Sequence, residues 1–217
     1  MKKIWILIMA TIFSFSAKSQ EASDITLLSN GADIKLLTPQ KIGGMPLMEA
    51  LAKRKTNRDF SQVELTPQQL SNLLWAASGI NREDGRRTAP TARNAQEIEI
   101  YVINKVGAYL YIPNEHSLKL IAAGDHRKKG ASQEKFQDCP LMLIFVANYD
   151  KMEGFSDEAK DLYGCTDTGN ISQNVYLYCA SENLATCALG SIHREELKSL
   201  LKFNGKAILG QSVGVAK

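Results

Sequence analysis

The chain has few of the residue patterns that usually carry enzyme chemistry. It contains no Gly-x-Gly-x-x-Gly dinucleotide fingerprint and no phosphate-binding loop ending in Gly-Lys-Ser/Thr. Its three histidines, His116, His126 and His193, stand in polar surroundings and lack the spacing of a metal-binding helix pair. We therefore expect surface histidines, no metal site and no catalytic nucleophile, so that any enzyme activity would depend on a bound cofactor.

Cysteine is also scarce, with four residues at Cys139, Cys165, Cys179 and Cys187. Their number permits two disulfides, but their spacings match no zinc site and are too sparse for a disulfide scaffold. Buried free thiols are the expected state. A thiol redox protein that uses Cys179 and Cys187 is a weaker alternative, because one helix spanning both would hold them roughly 12 Å apart, beyond disulfide reach.

Residues 1–19 have the features of a secretory signal peptide. Two lysines precede an apolar run from Ile4 to Phe15, and Ala17 and Ser19 offer small residues to a signal peptidase. The run is short for a membrane span, and no second run follows it. We therefore expect an exported protein, periplasmic or secreted, without a membrane span.

The three lysines of this targeting segment account for the net charge of +3 of the whole chain. Removal of residues 1–19 takes away three lysines and brings the 26 basic residues down to the number of acidic ones, 23. Nucleic acid is not an expected partner, because its binding needs a basic surplus on the mature protein. The remaining length fits one substantial domain, and we expect an N-terminal arm over residues 20–44 and a globular domain over residues 45–217.

Hydrophobic periodicity predicts both helices and strands in the domain. Pro46 starts a helix that ends in a basic stretch, and Thr66-Pro67 caps a second helix with an apolar stripe. Residues 97–103 and 108–112 predict a half-buried β-hairpin, and the apolar run 141–147 predicts a central strand. The other predicted elements are a short helix from Pro113 through Ile121, a long helix over 167–184, a helix over 194–201 and a strand over 207–213. The long helix is apolar around much of its circumference, which indicates a buried or interface position.

The most distinctive stretch is basic and runs from Arg54 to Phe60. If the preceding helix continues through it, Arg54 and Arg58 share a face and can converge on one anion, with Lys55 and the Thr56 hydroxyl beside them. Guanidinium and ammonium groups suit phosphate oxygens, so the stretch can form a phosphate cradle. For the stretch alone, a solvated basic helix end stabilised by the helix dipole is the simpler interpretation.

Several segments together resemble nitroreductase-family flavoproteins. Arg54 to Phe60 resembles the Arg-Arg-Ser-x-Arg-x-Phe signature, and Pro90 to Gln96 is similar to the family's Pro-Ser-x-x-Asn-x-Gln segment. Asp167 to Asn174 resembles the family segment that opens the long helix, and both segments end in Gln-Asn. Gly210 to Lys217 resembles the family's terminal Gln-Thr-Val-Gly-Tyr-Pro-Lys. The segment Tyr109 to His116 is similar to the branch that includes the azoline-oxidising, SagB-type dehydrogenases. The matches follow the family's order and cover nearly all of the mature chain.

The resemblance implies an α+β fold in which helices flank a mixed β-sheet. It also implies a homodimer with a long central interface helix and with two FMN molecules at the subunit interface. By motif position, Arg54, Thr56 and Arg58 would hold the FMN phosphate and ribityl chain. Lys55 would lie beside them, and Lys217 would return to the phosphate.

The same resemblance places two further groups of residues at the flavin. Pro90, Thr91 and Asn94 would reach it from the other subunit. Leu189 and Gly190 would pass beside the isoalloxazine ring, where backbone N–H groups can bond to N5 and stabilise negative charge on the reduced flavin.

The activity that the resemblance implies is hydride transfer through flavin N5. The donor would be NADH or NADPH, and the acceptor a small molecule such as a nitroaromatic or a quinone, while the protein supplies positioning and electrostatics. Export conflicts with this donor, because reduced nicotinamide is scarce outside the cytoplasm. The sequence departs from the family pattern at Glu97, Asn183, Ala185 and Val215-Ala216. These departures keep open a second hypothesis, a flavin-binding or interaction module without turnover.

Overall fold

The computed structural model describes residues 32–217, so the predicted signal peptide and the first part of the predicted arm lie outside the described residues. Seven strands form one sheet: β1 Ile34–Lys35, β2 Ile98–Ile103, β3 Gly107–Ile112, β4 Ser117–Ala123, β5 Leu141–Ala147, β6 Leu184–Leu189 and β7 Lys206–Val215. The helices are α1 Leu47–Lys53, α2 Pro67–Ser78, α3 Arg127–Gly130, α4 Asp157–Ser181 and α5 Arg194–Leu201. No helix within residues 32–217 is long and apolar enough to cross a membrane.

The strands lie in the order β1-β4-β3-β2-β5-β7-β6. Each described pairing is antiparallel, where the resemblance implies a mixed sheet. The β5 strand pairs with β2 and β7 and is buried along its whole length, as the continuous apolar run 141–147 predicts for a central strand. The predicted α+β class, with helices flanking the sheet, is confirmed.

Both faces of the sheet carry a hydrophobic core. On one face, α2 and α4 pack against the strands through side chains such as Leu74 and Val175. On the other face, α5 packs through Leu197. Side chains of a strand alternate between the faces, so β6 contributes Leu184 to the first core and Cys187 to the second. Because β6 is the last strand of the sheet, one of its backbone edges is open to another segment.

Local sequence signals locate several elements correctly. The Thr66 side chain accepts the Gln69 N–H and the Gln69 side chain accepts the Thr66 N–H, a reciprocal capping box just before Pro67 opens α2. The β2 and β3 strands form the predicted hairpin, and α5 covers the predicted range. The residues that decide these elements are near neighbours in sequence, which is why the pattern alone finds them.

The prediction of a helix after Pro113 is wrong. Residues 113–116 form a turn in which His116 has a left-handed φ of 47°, and the chain continues as β4. Leu118 of β4 pairs with Tyr111 of β3 and is 1% exposed. A short apolar sequence fits a strand as well as a helix, and here the pairing with β3 decides between them.

The long helix begins at Asp157 rather than at the predicted Asp167, and it ends at Ser181 rather than at residue 184. The Ser156 side chain caps it by accepting the Ala159 N–H. Residues 157–163 lie largely in solvent, so no apolar stripe marks the first turns in the sequence.

The apolar residues of α4 are buried within the chain. Ile171, Val175 and Cys179 belong to the core beneath the sheet and are at most 1% exposed. The apolar character of the helix is therefore explained by one subunit, and it does not by itself indicate a dimer.

His116 is half-buried, where a surface position was expected. Its Nε2 lies 2.8 Å from Ser71 Oγ, and its Nδ1 lies 3.0 Å from the Tyr111 hydroxyl. Burial lowers the pKa of His116, so the neutral imidazole bridges the two hydroxyls. His126 and His193 are partly exposed.

All four cysteines are free thiols. Cys139, Cys179 and Cys187 are buried, as expected, whereas Cys165 is exposed. Burial raises the pKa of Cys139 to about 12 and raises the pKa values of Cys179 and Cys187 as well. Cys187 lies on β6 rather than on the helix that carries Cys179. Because the thiolate is the reactive form, these buried thiols disfavour the alternative of a thiol redox protein.

Candidate functional site

The basic segment Arg54–Asp59 is extended rather than helical. The preceding helix ends at Lys53, and the first residue of the segment has φ −56° and ψ 122°, so its two arginines do not converge on a helix face. The Asn57 N–H donates to the Thr186 carbonyl of β6 at 3.0 Å, and the Lys217 N–H donates to the Asp59 carbonyl at 3.2 Å. The segment therefore lies along the open edge of the sheet, between β6 and the last residues of the chain.

Tyr176 of α4 contacts the basic segment. Its hydroxyl lies 3.2 Å from the Thr56 hydroxyl and accepts the Ala188 backbone N–H at 2.9 Å. The Arg54 guanidinium carbon lies 5.3 Å from the centre of the Tyr176 ring, which is a cation–π contact. Nothing in the local sequence marks Tyr176, because a tyrosine in an apolar helix is usually a packing residue.

Arg58 lies towards the other face of β6. Burial raises the pKa of the Cys187 thiol, and the positive charges of Arg58 and Lys135 offset part of that rise, so both cations lie near the thiol. Cys187 belongs to the core on the side of the sheet away from α4. The Arg54 guanidinium therefore lies beside Tyr176, and Arg58 lies near Cys187.

A cavity of about 470 Å³ opens beside the basic segment, at the end of α4 and the start of β6. Its polar lining comes from Lys53, Lys55, Asn57, Tyr176, Asn183, Thr186 and Lys217. Lys53 is paired with Glu49 at 2.8 Å, whereas no salt bridge within residues 32–217 involves Lys55 or Lys217. The structure therefore brings two predicted site residues, Lys55 and Lys217, together as available cations in one cavity.

Leu189 and Gly190 lie where β6 ends and the chain turns towards α5. Leu189 is 4% exposed, whereas Gly190 is exposed and a Cβ added to it would meet nothing within 4 Å. At this edge, Thr186 presents its carbonyl and Ala188 its N–H away from β7. Gly190 follows the last residue of β6, and its carbonyl accepts the Arg194 guanidinium at 3.2 Å.

The loop 90–96 is anchored to the middle of α4. The Ala92 N–H donates to Asp167 Oδ2 at 2.9 Å. Within the loop, Thr91 Oγ1 accepts the Gln96 N–H at 3.0 Å, so the Thr91 hydroxyl holds the loop's own backbone. Asp167 is the first residue of the family-like segment 167–174, and its carboxylate fixes this loop to α4.

The other predicted residues of this loop are exposed. Pro90 and Asn94 both face solvent, and Asn94 has a left-handed φ of 56°. No hydrogen bond or salt bridge among the described residues joins the loop to Arg54–Asp59. Within one subunit, the two predicted halves of the site are therefore not joined by hydrogen bonds or salt bridges.

Glu97 is a buried carboxyl next to this loop. Strand alternation predicts a half-buried strand with Glu97 and Glu99 on its polar face, but Glu97 is 0% exposed. Neither of its oxygens has a hydrogen-bond partner among residues 32–217. The pKa of Glu97 is raised to about 7, mainly by burial and also by the charge of Asp167, while the Arg87 charge acts in the opposite direction. Glu99 meets the expectation better, because it is half-buried and pairs with Lys151 at 2.9 Å.

The sequence Gly210-Gln211-Ser212-Val213-Gly214 has the Gly-x-Ser-x-Gly spacing of a nucleophile elbow. The structure places it inside β7, where Ser212 is 0% exposed and donates to the Cys187 carbonyl at 3.3 Å. A nucleophile elbow needs a serine exposed on a strand-to-helix turn, so this segment has a structural function. Within residues 32–217 no group of three or more His, Cys, Asp or Glu side chains could hold a metal ion.

Two of the departures from the family pattern have structural explanations. Asn183 has φ 56°, the left-handed conformation that glycine adopts and asparagine tolerates, so the turn into β6 is made without glycine. Ala216 forms a β-bridge with Phe60, which holds the end of the chain in place of the rigid Tyr-Pro turn.

Comparisons with known proteins agree with this architecture. The model of the nitroreductase family matches residues 51–215. The "Putative nitroreductase MJ1384" of Methanocaldococcus jannaschii is 32% identical over 178 residues, which cover 77% of this chain and 90% of that protein. A "putative nitroreductase" from Ralstonia eutropha JMP134 has a TM-score of 0.78 and 38% identity, with 85% of this chain and 90% of that chain covered.

The chain therefore belongs to the nitroreductase family, as its sequence segments predict. It is a flavin-dependent oxidoreductase of the nitroreductase type. A "putative NAD(P)H:FMN oxidoreductase" from Staphylococcus epidermidis ATCC 12228 has a TM-score of 0.60 over 82% of this chain and 91% of that chain; at 14% identity it shows a shared fold alone. Membership of the SagB-type branch stays a prediction.

Proposed function

We propose that the protein binds FMN along the edge of β6 and works as a homodimer that transfers hydride from a reduced donor to a small acceptor. The observation that carries the proposal is the arrangement around one edge strand. Arg54, Thr56 and Tyr176 lie on one side of it, Arg58 on the other, and Lys217 at its start.

The residues present fit a phosphate group. Lys55 and Lys217 line the same cavity without a salt-bridge partner among the described residues, and Arg54 reaches its Tyr176 border. Cations that lack a carboxylate partner favour an anion, and charge-assisted hydrogen bonds to phosphate are about twice as strong as neutral ones. The Thr56 hydroxyl, which is exposed, can add a further hydrogen bond.

The end of β6 fits the reactive part of a flavin. Gly190 is exposed, so its backbone N–H is available to donate to a ring nitrogen, and the absence of a side chain there lets a flat ring approach the backbone. When bound, FMN supplies the hydride-transfer chemistry at its N5 atom. The chain's contribution is to bind the phosphate, to orient the ring and to place an N–H where negative charge develops.

The separation of the loop 90–96 from the basic segment supports a two-subunit site. Pro90, Thr91 and Asn94 would complete the flavin pocket of a second subunit, as the resemblance implies. Exposed apolar side chains near α1 supply a surface for such a partner: Ile42 is 97% exposed, Leu47 63% and Met48 76%. Burial of large apolar side chains is the usual driving force for a permanent interface.

The family supports a choice of donor and acceptor to test, and the leader sequence supports a location. NADH or NADPH is the donor to test first, with a nitroaromatic and a quinone as acceptors. Lys2, Lys3 and the apolar run that follows them support export to the periplasm or the medium. There a reductant other than nicotinamide would be the natural donor.

The experiment that tests the proposal uses the mature chain from residue 20 onward. We expect a yellow protein with near-stoichiometric FMN absorbance per chain, bleaching of the flavin band by NADH or a chemical reductant, and recovery of the band on addition of a nitroaromatic or a quinone. Colourless protein that cannot be reconstituted with FMN would refute the flavin site. Bound flavin that no donor or acceptor affects would favour the binding module without turnover, and a monomer at full FMN occupancy would refute the two-subunit pocket.

A further inference from the structure

Tyr176 connects the two ends of the proposed flavin site. It lies on α4, half-buried, and its hydroxyl reaches the Thr56 hydroxyl at 3.2 Å and the Ala188 N–H at 2.9 Å. Thr56 belongs to the phosphate end, whereas Ala188 immediately precedes Leu189 and Gly190 at the ring end. A single side-chain atom therefore touches both segments that would hold the cofactor.

The hydrogen-bonding capacity of a phenol suits this position. A tyrosine hydroxyl has one proton to donate and lone pairs to accept with. The Ala188 N–H occupies one lone pair, so the Tyr176 proton remains for Thr56, or the Thr56 proton can use the second lone pair. If Tyr176 donates, Thr56 keeps its proton and one lone pair for a ligand, and if Thr56 donates, it keeps two lone pairs.

The bond to Ala188 is also the support for the open edge of β6 at this point. Thr186, two residues earlier, accepts the Asn57 N–H there, whereas the Ala188 N–H has only the Tyr176 hydroxyl as a partner among the described residues, and the Ala188 carbonyl accepts the Cys187 thiol at 3.4 Å. Gly190 follows two residues later, just beyond β6, and its carbonyl accepts the Arg194 guanidinium at 3.2 Å. The short backbone segment from Ala188 to Gly190 is therefore held by Tyr176 at its first residue and by Arg194 at its last.

We propose that Tyr176 is a positioning residue that couples cofactor affinity to the reduction potential of the flavin. It would act through Thr56 at the phosphate end and through the Ala188–Gly190 backbone at the ring end. This inference rests on the proposed function, since it assigns a role within the same FMN site.

The alternative is that Tyr176 only packs α4 against the sheet. Tyr178 provides the matched control, because it lies on the same helix, is also partly buried and donates its hydroxyl proton to the Gln69 carbonyl of α2 at 3.2 Å, away from the site. A purely structural function for Tyr176 would give Y176F and Y178F the same phenotype. Thr56→Val provides a second control that alters only the phosphate end.

The test measures the FMN dissociation constant, the midpoint potential of the bound flavin and the melting temperature for wild type, Y176F, Y178F and T56V. We expect Y176F to raise the Kd about tenfold or more, as for the loss of two hydrogen bonds, and to make the midpoint potential more negative. T56V should raise the Kd with an unchanged midpoint. Y178F should change neither, although it lowers the melting temperature.

Two results would overturn the inference. Wild-type Kd and midpoint in Y176F, in a protein that binds FMN normally, would reduce Tyr176 to a packing residue and leave the proposed function intact. If Y176F raises the FMN Kd but leaves the flavin midpoint potential unchanged, Tyr176 is not coupled to the ring end. Failure of the wild-type protein to bind FMN would refute the proposed function itself, and with it this assignment.

Discussion

The basic segment Arg54–Asp59 and the loop 90–96 are both irregular and polar, but they are held in different ways. Backbone hydrogen bonds to Thr186 and Lys217 fix the basic segment along the sheet edge. The loop is fixed to the helix by one carboxylate, that of Asp167. Next to this carboxylate lies the buried carboxyl of Glu97, whose pKa is raised, so a titratable group borders the loop's anchor, whereas backbone hydrogen bonds hold the sheet-edge segment.

In the proposed FMN pocket, this difference would correspond to two functions. A segment fixed along a sheet edge would provide cations at constant positions for the phosphate. A loop held by the side-chain contacts of Asp167, Gln96 and Arg93 could adjust to a partner subunit and its ligand. We therefore expect substitutions in the basic segment to change the FMN affinity directly, and substitutions around Asp167 to act through the loop.

The largest expected effect is on cofactor affinity. Arg54→Ala or Arg58→Ala should each raise the FMN Kd about 10- to 100-fold, since hydrogen bonds between charged partners contribute about 1.5–3 kcal/mol. Fluorescence titration of the apoprotein measures the change, and exposed Lys119 on β4, changed to alanine, is the control for simple charge loss. Wild-type flavin content in both arginine variants would show that the cradle is elsewhere.

The next effect concerns pH and the loop. Burial raises the pKa of Glu97 to about 7 from its ordinary value of 4.5, so folding favours the protonated acid. The resulting stabilisation is complete below about pH 4.5 and is lost as the pH rises through about 7, by at most about 3 kcal/mol. Glu97→Gln should therefore gain stability relative to wild type between pH 5 and pH 8, as measured by urea unfolding. If the difference in unfolding free energy between Glu97→Gln and wild type does not change with pH, Glu97 does not titrate in this range.

A smaller effect is expected at the loop anchor. Asp167→Ala removes the acceptor of the Ala92 N–H and should destabilise the loop by about 1–2 kcal/mol. Limited proteolysis should then cleave within residues 90–96 faster, while the basic segment keeps its wild-type rate. Asp167→Asn retains an acceptor and is the control. Equal acceleration in both regions would mean that the two are not held independently.

The smallest effect separates two lysines of the same cavity. Lys53 is exposed and paired with Glu49, so Lys53→Ala should change stability by about 0.5 kcal/mol or less and leave the FMN Kd nearly unchanged. Lys55→Ala, which removes a cation without a described salt-bridge partner, should weaken FMN binding several-fold. Titration of both variants under one salt concentration is the measurement, and equal losses would contradict the assignment.

The sequence located elements wherever their pattern is strong and local. The amphipathic helix 194–201, the apolar strand 141–147 and the β2–β3 hairpin were predictable because neighbouring residues decide them. The segment 117–123 was not, because its apolar residues suit a helix until β3 supplies hydrogen-bond partners. The first turns of α4 carry no apolar stripe because they face solvent, so periodicity could not show them.

The candidate site likewise contains residues that the sequence indicates and residues that only the fold brings together. Motif resemblance pointed to Arg54, Arg58, Asn94 and Gly190 as residues near a flavin. It could not show Tyr176, whose contact with Thr56 joins residues 120 positions apart. Nor could it show that Glu97 is buried, because strand alternation alone assigns it to a polar face.

The amino-acid sequence alone establishes the family, the α+β class and where the charged segments stand along the chain, because each of these depends on which residues are near one another in sequence. The tertiary structure decided how those segments meet. It ended the helix before Arg54, placed the Arg54 guanidinium over the Tyr176 ring and set the Tyr176 hydroxyl in contact with both Thr56 and Ala188. These arrangements depend on contacts between distant residues, and burial, strand pairing and hydrogen-bond geometry exist only once the chain has folded.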